Sequence, residues 1–347
     1  MRLTWLWGRS HSPTSRAAQT VVRALLLPAS GFYWLVSRAV QTYRSRHCSK
    51  LPLPSVVVGE MSVGGAGKTP VVKWLAVALS ESGIRPAVVT RGYGGDEELE
   101  LRDDLEDIPV IRAADRASGA VRALELGAEC VVFDDGLQRP DYGFDIEVAL
   151  VSASRLQAPR WTLPAGPWRE SVKRIERATY RVLTHRIALT GTVSAAFRRI
   201  AGDAGHELLL SITGFETLAG EPLGDDVVRG ARVLAMAGIA DPESFFGQLA
   251  ERGAVVTSWA LSDHHRYSSR TVESALHKAR WLDYVVVTKK DAVKLRDLWP
   301  AGGPRVLVAV LGVAGPGAAA LRASILDGVR LLMCSNHVGS YSQLAND

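Results

Sequence analysis

The sequence predicts an α/β protein: a P-loop NTPase-like parallel sheet with helices on both faces, a second and smaller α/β domain, and an N-terminal membrane-associated helix. Three observations predict it. Short β-branched runs alternate with stretches of helical spacing, the pattern of a sheet covered on both faces. A glycine-rich turn sits between the first such strand and the helix after it. A basic, partly apolar segment precedes the whole pattern.

The first run, LPSVVV (53–58), is apolar without alternation, as in a buried parallel strand. Residues 71–82 then carry helical spacing. RPAVVT (85–90), AECVVFDD (128–135), FDIEVALV (144–151) and ATYRVLTHR (178–186) read as further strands, with a helix over 117–127. ELLLSITGFETLAG (207–220) alternates and contains turn residues, which suits a short antiparallel linker. A second α/β run follows: strands at 232–239 and 254–261, a capped helix at 241–253, and a strand passing into a helix over 284–295. Residues 312–320 (GVAGPGAAA) read as a loop, and the last residues give little signal. The expected organisation is a membrane-associated segment over 1–50, a P-loop domain over 51–205, a smaller α/β domain over 206–335 and a tail over 336–347.

The chain has 347 residues, 47% apolar and 22% charged, which excludes a largely disordered or collagen-like protein. Its net charge of +5 is unevenly placed. Residues 1–50 contain no acid and eight cations, so the remaining 297 carry a net −3. A chain-wide nucleic-acid surface is not expected. The three cysteines, Cys48, Cys130 and Cys334, form no CxxC pair, so no zinc site or disulfide framework is expected. Residues 24–37 are uncharged and mostly apolar, but the run is shorter than the roughly 20 residues of a spanning helix, and Pro28 and Gly31 interrupt it. Two readings stand side by side. Either the segment lies in a membrane interface, with Trp5, Trp7, Phe32, Tyr33 and Trp34 at headgroup depth, or it packs on the protein body.

Ser62-Val63-Gly64-Gly65-Ala66-Gly67-Lys68-Thr69 is a phosphate loop, departing from GxxxxGK[ST] only at Ser62. Its glycines let backbone N–H groups face phosphate oxygens, and the helix N-terminus adds partial positive charge. Lys68 is expected at the β- and γ-phosphates and the Thr69 hydroxyl on Mg²⁺. Asp134 closes the 128–135 strand, where such enzymes place a further Mg²⁺ partner. Asp96-Glu97 follows the glycine-rich turn 91–95; read alone, these are the first of a run of surface acids.

These motifs together resemble the tetraacyldisaccharide 4'-kinase family. The matching stretches are VVVGEMSVGGAGKTPVVKWLA, TRGYGG, ASGAVRALELGAECVVFDDGLQ, LPAGPWRES, VLAMAGIADPESFF, SDHHRYS and VVVTKKDAVKL, in the family's order over about 53–295. The resemblance implies transfer of the ATP γ-phosphate to the 4'-hydroxyl of a tetraacylated glucosamine disaccharide 1-phosphate. It implies Asp96 as catalytic base, Glu97 near Mg²⁺, and His264 (or His265) paired with the base. Arg169 of PAGPWRE would clamp phosphate charge. Arg91, Asp135 and Gln138 are expected at the substrate. The implied cofactors are ATP and Mg²⁺. The implied partners are the lipid substrate and an anionic membrane surface, with no nucleic acid. The implied state is a monomer held peripherally on the cytoplasmic face of the inner membrane. Alternative readings of the same loop are an NTPase switch, a metallocentre-type NTPase, or a nucleotide-binding relative without turnover. The chain departs from the family at Glu60 (usually Asn), Glu98 (Pro), Arg139 (His) and Lys289 (Glu), and lacks the loop usually found between RGYGG and the catalytic acids.

Overall fold

The computed structural model describes residues 4–7, 13–46, 48–92, 96–139, 141–263 and 265–344. Its centre is one twelve-stranded sheet. The first half contributes β1 (Ser55–Glu60), β2 (Pro86–Thr90), β3 (Val110–Arg112), β4 (Cys130–Asp134), β5 (Ile146–Ser152) and β6 (Tyr180–His185). Then come β7 (Gly205–Thr217) and the short β8 (Pro222–Leu223). The second half contributes β9 (Arg232–Ala237), β10 (Val255–Ala260), β11 (Tyr284–Thr288) and β12 (Val306–Ala314). The strand order is β10-β9-β11-β12-β7-β6-β5-β1-β4-β2-β3, with β8 hydrogen-bonded to β7.

Within each half the pairing is parallel. The halves meet where β12 runs antiparallel to β7, with a register shift between Val310 and Leu311. Thus 207–220 is not a short linker. Residues 207–217 belong to a thirteen-residue strand that is parallel to β6 on one side and antiparallel to β12 on the other, and 218–220 turn out of it. Its alternation reflects a strand buried on alternate positions, and the turn follows it at β8.

The longer helices are α1 (Pro13–Ser45), α2 (Lys68–Glu81), α3 (Asp96–Asp104), α4 (Arg116–Glu125), α5 (Gly191–Ala201), α6 (Pro242–Glu251), α7 (Ser269–Ala279), α8 (Lys289–Leu295) and α9 (Pro316–Leu344). Strand period sorts the core. Val56 and Val58 of β1 face α2, joining Leu75 and Leu79, while Val57 faces the opposite layer with Phe133, Trp168 and Phe197. Leu234 and Met236 of β9 pack with Val272 of α7 and Leu295 of α8, whereas Val233 and Ala235 pack with Phe245 and Leu249 of α6.

Two expectations at the C-terminus are corrected. Residues 312–314 complete β12, and 316–320 begin α9, so 312–320 is not a loop apart from its turn at Gly315. The small residues of this stretch are there for close approach: a Cβ on Gly317 would meet the backbone of Glu207. Residues up to Leu344 continue α9. This helix returns to the first half and inserts Leu321, Ile325 and Val329 into the core under the phosphate loop. Tyr180 Oη donates to the carbonyl of Ser324 across 3.0 Å.

At the N-terminus, Pro28 and Gly31 do not interrupt the apolar run; α1 passes through both. One proline removes a single intrahelical bond, and the flanking helix has other contacts to hold it. Ser30 Oγ donates to Thr162 O (3.0 Å) and accepts from Ala165 N–H (2.9 Å), and Tyr33 Oη donates to Arg169 O (3.1 Å). Trp7 is buried, with Nε1 donating to Pro164 O. Trp7 and Tyr33 therefore face the protein and not a headgroup layer, because each polar atom has a carbonyl partner there. The other face of α1 is apolar and exposed, with Val21, Leu25, Phe32, Trp34, Leu35 and Val36. The helix is long and apolar enough to cross a membrane by length and composition, with mean hydropathy 1.3 and only 6% of its most apolar window buried. The Trp5 side chain lies outside the described residues.

Candidate active site

The carboxyl ends of strands from both halves open onto one cavity of about 360 Å³. The phosphate loop enters it after β1, residues 239–241 after β9, Asp263 after β10, and Thr288–Lys290 after β11. Such strand ends are where open α/β sheets bind ligands.

The loop is built by its glycines. Gly64, Gly65 and Gly67 have φ of 101°, 64° and 77°, a region that L side chains rarely adopt. Gly67 caps α2 without any side-chain bond, so the first N–H groups of the helix point into the cavity. The loop is braced from outside: Arg186, after β6, donates to Gly65 O (3.1 Å), and Thr184 Oγ1 donates to Ala66 O (2.8 Å). Burial lowers the Arg186 pKa.

Lys68 lies within 3.5 Å of both Glu60 Oε1 and Asp135 Oδ2. Burial alone would lower its pKa, but the carboxylates of Glu60, Asp135 and Asp134 outweigh that, and the ammonium is held above its ordinary value. Arg169 approaches the same two acids, with Nη2 2.8 Å from Glu60 Oε1 and Nη1 3.4 Å from Asp135 Oδ2. Burial would raise the Asp135 pKa; Lys68 and Arg169 overcome it, and the carboxyl titrates below its usual range. Two basic and two acidic side chains thus form one partly buried cluster. Asp135 has φ of 64°, a strained value for a non-glycine residue. Its carbonyl accepts from Arg116, a buried guanidinium at the start of α4. Glu170 takes no part: it is near Arg174 (3.8 Å), and burial raises its pKa.

Thr69 lines the cavity and Asp134 is buried at the end of β4. These two hard oxygen donors are what Mg²⁺ takes from a protein when phosphates and water fill its other positions. Among the described residues no three acidic, His or Cys side chains form a larger metal cage.

The other predicted residues divide. Gln138 donates from Nε2 to the backbone carbonyl of Glu60 (3.0 Å), so its amide fixes the strand end below the loop. Arg91 lies near enough to Arg116 to help lower that residue's pKa, after burial as the main cause. Arg139 is folded onto Asp141 (2.7 Å) and the Tyr142 ring. The side chains of Asp96 and Glu97, and the whole of His264, lie outside the described residues. Their neighbours are described. Glu100 and Asp104, four and eight residues after position 96 on α3, both line the cavity, as does Asp263. His265 is tied into its loop, with Nδ1 3.3 Å from Ser262 Oγ and Nε2 3.3 Å from Thr271 Oγ1. Beneath that loop the buried Asp291 accepts from Gly238 N–H and Thr288 Oγ1.

Sequence reading did not anticipate a charge network between the halves. Asp104 of α3 pairs with Lys73 of α2 (2.6 Å) and with Lys289 of α8, which also reaches Glu216 of β7 (2.8 Å). Lys289 was legible only as a family departure; its acid partner on α3 is 185 positions away.

Comparison with known proteins agrees with this arrangement. The family model described as "Tetraacyldisaccharide-1-P 4'-kinase" matches residues 22–104 and 94–328. The two matches overlap at 94–104. The tetraacyldisaccharide 4'-kinase of Aromatoleum aromaticum is 34% identical over 308 residues, covering 82% of this chain and 88% of that one. That of Azoarcus sp. is 35% identical over 305 residues, covering 80% and 85%. Among solved structures, LpxK from Aquifex aeolicus in complex with ATP superposes with a TM-score of 0.71 at 27% identity, covering 89% of this chain and 99% of that one.

Proposed function

We propose a division of roles that starts from one premise: the chain belongs to the tetraacyldisaccharide-1-P 4'-kinase family. It is an ATP-dependent kinase of lipid A biosynthesis that transfers the γ-phosphate to the 4'-hydroxyl of a tetraacylated disaccharide 1-phosphate. The observation that carries the assignment of roles is the cluster of Lys68, Arg169, Asp135 and Glu60 beside a glycine cradle, in a cavity shared by both halves.

Phosphoryl transfer asks a protein mainly for positioning and for charge where charge develops. The backbone N–H groups of 64–69 hold the β-phosphate. Lys68, kept protonated by its acids, neutralises the β- and γ-oxygens, and the Arg169 guanidinium meets the equatorial oxygens of the transferring group. Thr69 and Asp134, with Glu97, are the residues that would hold Mg²⁺, which would supply positive charge against the phosphates when bound. Asp96, one helical turn before Glu100, accepts the 4'-hydroxyl proton. His264, next to Asp263, orients that carboxylate. Arg91, Asp135 and Gln138 border the strand ends where the sugar headgroup approaches.

The direct test is the full chain in detergent with γ-labelled ATP, Mg²⁺ and tetraacyl disaccharide 1-phosphate. Label should pass to the lipid. ATP hydrolysis with no labelled lipid would instead mark an NTPase.

The exposed apolar face of α1, flanked by the N-terminal cations, supports a peripheral position on the anionic cytoplasmic face of the inner membrane. Sedimentation with anionic vesicles should be weakened by deleting residues 1–50, and in the intact chain by raised salt. Salt-insensitive binding of the intact chain would assign the attachment to apolar burial of α1. An intact chain left in the supernatant would refute a membrane role for the segment.

A further inference from the structure

Glu60 touches neither nucleotide nor lipid in the scheme above, yet it occupies its centre. It is the last residue of β1, its side chain is only 6% exposed, and it lines the cavity. Oε1 faces Arg169 Nη2 at 2.8 Å and Lys68 Nζ at 3.5 Å. Oε2 accepts the backbone N–H of Ala66, inside the phosphate loop, at 3.3 Å. A loop amide, an ammonium and a guanidinium are the three kinds of donor that a phosphate group needs here. One carboxylate holds all three.

We propose that Glu60 is an internal stand-in for a nucleotide phosphate: its carboxylate occupies the anion position of the loop, and the triphosphate must displace it to bind. This rests on the reading of 62–69 as an ATP loop and adds a control on affinity to it. The physical reason is desolvation. Without Glu60, Lys68 and Arg169 would be two like charges in a largely buried cluster, offset by Asp135 and, for Lys68, by Asp134. Glu60 removes that cost and keeps the loop, the lysine and the arginine in the arrangement that a phosphate will use. The same contact taxes binding. Apparent affinity is the intrinsic affinity multiplied by the fraction of molecules in which the loop is open to the ligand.

The inference gives the sign of a substitution. Glu60→Gln keeps shape and one accepting oxygen but removes the charge that competes with phosphate. A support lying permanently under the loop would behave in the opposite way, since its loss would loosen the cradle. Calorimetric titration of the full chain in detergent with MgATP measures this. Glu60→Gln should bind MgATP about tenfold more tightly than the wild type, the gain expected if the loop is open in about one molecule in ten. Glu60→Asn, shorter and also neutral, should tighten binding in the same direction and serves if the Gln variant does not fold. Folded variants that bind MgATP equally or more weakly would overturn the proposal and leave the phosphate loop assignment intact. A wild-type chain that does not bind MgATP would overturn both.

Discussion

Lys68→Ala is expected to lower phosphoryl transfer by about 10²–10³-fold, the loss typical of removing one preorganised donor at developing charge. The effect should fall on turnover more than on folding. Lys68 is a partner of Glu60 and Asp135, but Arg169 contacts both acids as well, so neither carboxylate is left buried without a cation. A methyl group keeps the helical start of α2 and leaves the loop amides in place. Circular dichroism and thermal unfolding should therefore match the wild type, while labelled-lipid formation collapses. Near-normal turnover in a folded Lys68→Ala variant would refute the phosphate-loop assignment.

The second large effect concerns Asp96 and His264, proposed to act as one unit on the 4'-hydroxyl proton. A carboxylate is a weak base for a sugar hydroxyl near pH 7, and an imidazole that fixes its orientation shares the burden. General base catalysis of this kind contributes about 10²–10⁴-fold. Placement supports the pairing. Position 96 lies one and two turns before Glu100 and Asp104, and position 264 follows Asp263, and all three of these neighbours line the same cavity. Asp96→Ala and His264→Ala should each lose most turnover, and the double variant should be little worse than the poorer single one, because residues acting as a unit are not additive. ATP binding should persist in all three. Losses that multiply would show that the two act independently. A nearly active Asp96→Ala would pass the role of base to Asp134 or Asp135.

Much of this site was legible in the sequence because it rests on local chemistry. A glycine cradle needs its glycines contiguous and its lysine adjacent, so residues 62–69 announce themselves. Strand ends are likewise marked by β-branched runs that stop at acids, as at Asp134 and Asp135. What stayed hidden depends on partners distant in the chain. Nothing near Glu60 says that Arg169, 109 positions away, will pair with it. Nothing in the acidic run 96–107 says that Asp104 bridges Lys73 and Lys289. The run reads as solvated surface because charge density is local, while the burial that gives Asp104 its partners comes from α8, in the other half. The 33-residue α1 was underestimated for a related reason: Pro28 signals a break by propensity, and the carbonyls of Thr162 and Arg169 that hold the helix across it come from elsewhere. The last stretch misled through composition. Gly and Ala near 312–320 suggest a flexible loop, yet they mark close contact of β12 and α9 with β7.

The placement of α9 sets an order of events during synthesis. Domains tend to fold as units while the chain emerges from the ribosome, the N-terminal part first. Here the N-terminal half cannot finish in that way. Its core beneath the phosphate loop takes Leu208 and Leu210 from β7, and then Leu321, Ile325 and Val329, residues translated after every strand of the sheet. A nascent chain that has already displayed the whole phosphate loop still leaves an apolar trough open under β1 and α2. The trough closes only when residues 321–329 of α9 have emerged. The nucleotide pocket is thus fully backed only once Val329 has emerged, and a chain interrupted before residue 321 leaves that trough uncovered.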